Sequence, residues 1–286
     1  MLRRSTIQLL RFPFSLFLLP VFLFALSESS DLDAFTAWTI FVILHLLVYP
    51  ASNGYNSYMD RDETPIGGLE RPMTPTRQLF FATIVLDALA LFLSYFLVST
   101  FFAIGIAVYI LASRAYSYRG IRLKRFPVVG FLTVFIFQGA WIYWIVLRET
   151  DGLYGMHPVW LPALAASCLI GALYPLTQIY QHESDKADGV ITISYKVGKR
   201  GSFLLSALLF VAAMALIYAT YSAQGDGSFV LIFIVFTLPI LIYFFFWLLR
   251  VWKDESAADF RHSLRMNIIA TLCTSLYFLT LILMYH

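Results

Sequence analysis

Asn56 and Asp60 stand four residues apart at the end of a long apolar run, with Asp62 and Glu63 just beyond and Arg71-Pro72 in the following stretch. Residues four apart on a helix share one face, one turn above the other, so a carboxamide and a carboxylate present their oxygens together. Hard oxygens of this kind suit Mg²⁺, which binds through one or two carboxylates and completes its shell with water and substrate phosphates. A second cluster, Gln181-His182-Glu183-Ser184-Asp185-Lys186-Ala187-Asp188, follows another apolar run. Gln181 and Asp185 repeat the spacing of four and Asp188 comes one turn later, while Glu183 falls off that stripe. Either cluster alone has a plainer reading, the solvation of a helix end. Together they are expected to build one site from two halves, with a divalent cation linking the chain to a phosphorylated substrate.

A polyanionic substrate also needs positive charge. Arg71, Arg77, Arg119, Arg122, Lys124 and Arg125 are the candidates, with Lys186 or Lys196 in the second cluster. Arginine offers phosphate a two-pronged fork and lysine a point charge. Membrane topology alone accounts for any one of these residues, but the run Tyr116-Ser117-Tyr118-Arg119-Gly120-Ile121-Arg122-Leu123-Lys124-Arg125 is denser than topology requires. Asp87 and His45 lie inside apolar runs, where ionisable groups are costly and draw functional hypotheses. Interhelical hydrogen bonding for Asp87 and packing for His45 stand beside those hypotheses.

The elements that must position these groups are membrane helices. The chain has 286 residues, of which 60% are hydrophobic and 13% charged. Its mean hydropathy is +0.76. That charged fraction is about half the usual ~25% of soluble domains, and the 27 Phe, 17 Tyr and 6 Trp suit lipid-facing helices and their interfacial belts. Crossing ~30 Å of hydrocarbon takes ~20 apolar residues. Segments of that length fall at about 9–27, 35–57, 79–97, 99–117, 127–148, 159–180, 203–222, 228–250 and 266–284. Only Val98-Ser99-Thr100 separates the third from the fourth. No period-two alternation suggests a membrane β-barrel, so the fold class expected is all-α and polytopic, with about nine transmembrane helices.

Residues 1–11, 58–78, 114–126, 181–202 and 250–265 hold 19 of the 20 Lys and Arg, leaving only Arg148 for the other face with Glu28, Asp31, Asp33, Glu149, Asp151 and Asp226. Positive-inside bias therefore places the N-terminus and both polar clusters in the cytoplasm and His286 outside, in an integral, multi-pass protein expected in the cell inner membrane. Topology also explains the net charge of +3 without a nucleic-acid partner. Met1-Leu2-Arg3-Arg4 lacks a convincing small-residue cleavage site downstream, so the first span is read as retained. Cys168 and Cys273 sit in apolar runs and read as core residues. The helix–polar cluster–basic loop order recurs four helices apart, as two four-helix pseudo-repeats (about 9–117 and 127–250) plus a ninth helix would give within one membrane domain.

On these residues the chain resembles the UbiA superfamily of intramembrane prenyltransferases. The superfamily motif N-x-x-x-D-x-x-x-D is met by Asn56, Asp60 and, in the last position, Thr64. Arg71-Pro72 falls at the distance of the superfamily's Arg-Pro, with Arg77 at the following basic position. The loop from Tyr116 ends in the matching Leu123-Lys124-Arg125. The motif D-x-x-x-D-x-x-x-G-x-x-T appears as Gln181, Asp185, Gly189 and Thr192. Thr64 and Gln181 each stand where the superfamily has a carboxylate, with Asp62, Glu63, Glu183 and Asp188 as neighbouring alternatives.

The resemblance implies about nine helices around a central cavity. It also implies a polyprenyl diphosphate and a hydrophobic acceptor, aromatic or lipid, as partners. Mg²⁺ would be held by Asn56, Asp60 and Asp185, helped by Asp62, Glu63, Gln181 and Asp188, with Arg71 and Lys124, and behind them Arg77, Arg119 and Lys186, facing the diphosphate. Tyr116 or Tyr118 would steady an allylic cation through its ring face. Two alternatives remain at this point: a relative that binds prenyl lipids without chemistry, motivated by Thr64 and Gln181, and a transporter. A transporter would favour functional charges near the bilayer midplane, whereas both clusters lie at its edge.

Overall fold

The computed structural model of the chain describes residues 2–151, 159–222 and 228–285; Asp226 and His286 lie outside them, as does Met1. Among the described residues nine helices are long and apolar enough to cross a membrane: α1 (Arg4–Ser27), α2 (Ala34–Asp60), α3 (Arg77–Val98), α4 (Thr100–Ser117), α5 (Pro127–Thr150), α6 (Trp160–Gln178), α7 (Ile193–Ser222), α8 (Phe229–Lys253) and α9 (Phe260–Met284). They contain no strand, as the hydropathy pattern predicts, so every span satisfies its backbone groups internally.

Several spans depart from straight helices, and the departures shape the site. α1 starts earlier than the sequence suggests and breaks at Arg11, whose φ of 50° ends a short helix, Arg4–Leu10. Pro50 in α2 brings no backbone N–H to the helix ladder. Just before it the helix widens into a π-helical stretch, Ile43–Val48, with the Tyr49 N–H reaching Leu44 O, five residues back. A second wide stretch, Phe135–Trp141, interrupts α5. In α7, Gly198 (φ 76°, ψ 173°) breaks the helix, so the membrane-crossing part begins after it. The tight connection between α3 and α4 is closed by Ser99, whose hydroxyl accepts from the Phe102 N–H at 2.9 Å.

α6 is the most buried span and α3 the least. α5 and α6 approach so closely at Gly139 that a Cβ there would fall 2.4 Å from Ser167 Cα, and the Ser167 hydroxyl accepts from Ala140 N–H at 2.9 Å. The main core draws on all nine spans and most heavily on α1, α2, α5 and α6, with Phe24 stacked on Phe278 at 4.5 Å and tilted against Tyr143 at 5.0 Å. Exposed large side chains such as Phe81, Phe92, Leu231 and Ile242 face lipid. Lipid tails are as apolar as these side chains, so close packing and interhelical hydrogen bonds hold such a bundle rather than the hydrophobic effect.

Candidate active site

The end of the bundle that carries the basic loops opens into a cavity of about 230 Å³. Its polar wall brings the two sequence clusters together: Asn56, Asp60 and Asp62 from the end of α2 and its loop, Gln181 and Asp185 from the segment after α6, and Lys124 from the α4–α5 connection. Much of the rest of its wall is aromatic, with Phe14, Phe17, Tyr49, Tyr109, Tyr116, Phe137 and Tyr174.

Helical spacing places Asn56 and Asp60 as expected: Asn56 Nδ2 donates to Asp60 Oδ2 at 2.8 Å and to Ser117 Oγ at 3.1 Å. Asp60 Oδ2 is also ion-paired with Lys124 Nζ. These two side chains are only 5% and 10% exposed. Asp60 Oδ1 lies 3.5 Å from Arg122 Nη2, yet the alignment makes no hydrogen bond, so this buried oxygen lacks one. Left-handed backbone at Arg61 (φ 56°) stops α2 directly after Asp60, which keeps the carboxylate on the last helical turn.

Asp185 sits on the short helix His182–Ala187. His182 anchors this helix to α7: its Nε2 shares a 2.8 Å hydrogen bond with Ser194 Oγ. Burial, and then the charge of Lys199, pull the His182 imidazole down to about 4, so it packs as a neutral ring. The Asp185 carboxylate makes no hydrogen bond or ion pair among the described residues. Burial raises its pKa to about 7; Lys124 opposes the rise, while Asp62, Asp60 and Asp188 add to it. Asp62 is raised as well, by burial first and then by Asp60. Carboxylates crowded in a dry wall, two of them without partners, fit a divalent cation. No three His, Cys, Asp or Glu side chains among the described residues already converge as a ligand set. Asp60 and Asp188 are ion-paired within the chain instead, with Lys124, Arg122 and Arg119.

Other residues singled out from the sequence stand elsewhere. Arg119 Nε donates to Met59 O at 2.7 Å, fastening the end of α2. Arg122 donates to Asp188 O at 3.0 Å and pairs with the Asp188 carboxylate, which turns Asp188 away from the cavity wall. Arg71, Arg77, Glu63, Thr64 and Lys196 are exposed and do not line the cavity. Lys186 is exposed, with its ammonium 5.6 Å from the centre of the Tyr195 ring. Tyr118 is 49% exposed, whereas Tyr116 is inside, sharing a 2.6 Å hydrogen bond with Tyr174 Oη. Gln181 uses its amide: Nε2 donates to Pro65 O at 3.1 Å, which a carboxylate in that position could not do.

Arg11, Asn53, Gln138, Gln178 and Asn267 line the cavity without having been singled out. Their signal was present as polar side chains within or bordering apolar runs. Arg11 closes the loop over the mouth, donating to Gly67 O and Asn53 O at 3.1 Å each. That loop turns at Gly67-Gly68, where Gly68 has φ 80° and Phe14 fills the space a Gly67 Cβ would need. Within the bundle, Asp87 is ion-paired with Arg114, whose guanidinium also stacks on Tyr55 at 3.9 Å. His45 is fully buried and stacked on Phe41 at 4.6 Å. Neither Asp87 nor His45 lines the cavity, in line with the structural readings of both.

The family model of the UbiA prenyltransferase family matches residues 15–270. The chain belongs to the UbiA prenyltransferase family. No curated protein matches it by sequence. Among solved structures it is similar to a UbiA homolog from Archaeoglobus fulgidus bound to DMAPP and Mg²⁺, with a TM-score of 0.72 at 17% identity over 97% of this chain and 99% of that one. A UbiA homolog from Aeropyrum pernix K1 follows at 0.65, with 19% identity over 92% and 97%. The structure described for digeranylgeranylglyceryl phosphate synthase gives 0.62, with 17% identity over 98% and 97%. Nine apolar helices and this likeness make the chain an integral, multi-pass membrane protein of the UbiA fold.

Proposed function

We propose that this UbiA-family protein transfers a prenyl group from a polyprenyl diphosphate to a hydrophobic acceptor, aromatic or lipid, at the cytoplasmic side of the membrane. The observation that carries the reading is a single cavity with carboxylates and Lys124 at its mouth and aromatic side chains over much of the rest of its wall. Such a chamber suits an amphiphile with a multiply charged head and an isoprenoid tail. Solved members of the fold were captured with DMAPP or GPP together with Mg²⁺, and another is a synthase of a glyceryl phosphate lipid. The clustering of Lys and Arg at the cavity end supports the cytoplasmic assignment.

Asp60, Asp62 and Asp185, with Asn56 and Gln181 beside them, would hold Mg²⁺, which when bound lowers the cost of the negative charge gathering on the leaving diphosphate. Lys124 and Arg11 add fixed positive charge to the same wall, placed before reaction and shielded from water, where such charge acts most strongly. The bond between the prenyl C1 and the diphosphate oxygen breaks with its electron pair going to oxygen. Tyr116, fixed by Tyr174, offers its ring face to the allylic carbon. Phe14, Phe17, Tyr49, Tyr109 and Phe137 hold the tail and exclude water, so that the acceptor rather than water forms the new bond to C1.

A second reading, a lipid-binding relative without chemistry, is favoured by the way Asp60 and Gln181 already find partners within the chain. Purified protein in detergent, given radiolabelled prenyl diphosphates of several lengths, separates the two. Mg²⁺-dependent diphosphate release that disappears in Asp60→Asn and Asp185→Asn supports transfer. Saturable binding without release supports the second reading, and neither binding nor release removes both.

A further inference from the structure

The cavity wall carries a row of uncharged hydrogen-bonding side chains that a departing diphosphate does not need. Ser52 of α2 and Ser113 of α4 share a hydrogen bond between their hydroxyls, and both line the cavity. The Tyr109 hydroxyl, one turn before Ser113 on α4, faces Ser52 and Gln138 of α5. Ser52 lies about two helical turns before Asp60, or ~12 Å along α2 at ~1.5 Å per residue. The row therefore runs further into the bundle than the carboxylate at the end of α2.

Gln138 is the least expected member. It stands within the wide turn Phe135–Trp141, a local distortion that often marks a functional position. Polar groups that a membrane span turns toward a cavity are costly and tend to mark a substrate path. The Gln138 amide offers two donors and a carbonyl with two lone pairs, and among the described residues Tyr109 is its side-chain partner. Capacity is left for a ligand in the cavity that Gln138 lines.

The cations of that wall are Arg11 and Lys124. Both are committed, Lys124 to Asp60 and Arg11 to Gly67 O and Asn53 O. Asp60, Asp62 and Asp185 are its other charged groups. A ligand bringing its own carboxylate or phosphate to the row would meet three like charges in the same cavity, and such juxtaposition works against binding. A neutral oxygen meets hydroxyls and an amide that both donate and accept. The rings of Tyr49 and Tyr109, 5.8 Å apart, and Phe137 give an aromatic body a place beside them.

Resting on the prenyl-transfer reading above, we infer that Ser52, Ser113, Tyr109 and Gln138 receive the acceptor, and that this acceptor is an uncharged hydroxylated aromatic ring. Hydrogen bonds from the row to its oxygen hold an electron-rich ring carbon toward the prenyl C1. That carbon forms the new bond to C1 as the C1–oxygen bond breaks toward the diphosphate. The proton displaced from the ring goes to the departing diphosphate.

The test gives purified protein in detergent, with Mg²⁺ and radiolabelled geranyl diphosphate, three acceptors in turn: hydroquinone, gentisate (the same ring with a carboxylate) and geranylgeranylglyceryl phosphate. Labelled product and released diphosphate are read separately. Hydroquinone should be prenylated with a kcat/KM about tenfold or more above the other two. Gln138→Leu should raise the KM for hydroquinone about tenfold, as loss of one hydrogen bond does, while the KM for geranyl diphosphate stays within about twofold. Gln138→Arg supplies a cation and should move the preference toward gentisate by about tenfold or more, a gain that misfolding cannot produce. Where Gln138→Arg does not fold, Ser113→Ala decides, with a rise of about threefold in the hydroquinone KM alone. Preference for either anionic acceptor, or diphosphate release without transfer to any of the three, overturns the inference and leaves the donor chemistry standing. Absence of release removes the proposed function and this inference with it. A Gln138→Leu variant in which both KM values rise together overturns the role given to Gln138.

Discussion

Replacing Lys124 with methionine tests whether the ammonium is part of the architecture of the site. The side chain is 10% exposed and its partner Asp60 5%, so Lys124→Met leaves a buried carboxylate with Asn56 at 2.8 Å and Arg122 at 3.5 Å as its remaining partners. Breaking a buried ion pair from one side costs about 3–5 kcal/mol. Arg122 still provides some compensation, which puts the expected loss near the lower end, about 3 kcal/mol. For a chain of this size that corresponds to a fall of roughly 6–12 °C in the unfolding midpoint. Added Mg²⁺ should recover more of the midpoint in the variant than in the wild type, because a ligand that binds only the folded state stabilises it in proportion to its occupancy, and the variant's Asp60 is free to bind. Fluorescence-detected size-exclusion chromatography after heating, with and without Mg²⁺, measures both effects. A variant that melts with the wild type and responds equally to Mg²⁺ refutes the claim that Lys124 neutralises Asp60.

Three further outcomes follow from other parts of the molecule. Burial raises the Glu28 carboxyl to about 7, with a Tyr221 hydrogen bond opposing and Asp151 adding to the rise. Its folded pKa lies above the unfolded value, so stability is lost as pH climbs from about 4.5 to 7, by at most about 3 kcal/mol; Glu28→Gln should flatten that slope in thermal melts between pH 5 and 8. Asp87→Ala should destabilise by about 3 kcal/mol by leaving Arg114 unpaired, whereas Asp87→Leu with Arg114→Met should lie within about 1 kcal/mol of wild type or above it; a double-mutant cycle of midpoints checks this. Gln181→Glu sets an acceptor against Pro65 O, and hydrogen exchange in residues 61–70 should rise about tenfold, since about 1.4 kcal/mol of lost closure is one decade in the opening equilibrium.

Much of this arrangement was legible in sequence because lipid imposes a simple rule on length and polarity. Six spans were readable to within three residues at each end, while α7 and α9 begin ten and six residues before the apolar segments; the spacing of four between Asn56 and Asp60 pointed to one face. α1 was less legible, since a left-handed Arg11 has no sequence mark of the kind glycine gives, and an Arg at that border also serves topology. The wide turn before Pro50 was hidden for a similar reason: proline announces a missing donor but not which way the helix relaxes. At the site, Asp60, Asp62, Asp185, Lys124 and Tyr116 were within reach because motif and helix periodicity act locally. The pairing of Arg122 with Asp188, 66 residues away, was not, because long-range choice among several Arg and Asp depends on how the loops fold. The same ambiguity surrounded Arg71 in the loop and Arg77 at the start of α3, both of which are exposed. Gln181 shows the gain from seeing the structure, as its amide has a partner that explains it.

The most direct test of the account is a structure of the protein with Mn²⁺ and an unreactive prenyl thiolodiphosphate, with the metal located by its anomalous scattering. Metal density is expected to touch Asp62 and Asp185, with the diphosphate beside Lys124 and the isoprenoid chain against Tyr116 and Phe137. A diphosphate bound at Arg71 and Arg77 outside the cavity, or metal density remote from Asp185, would contradict it.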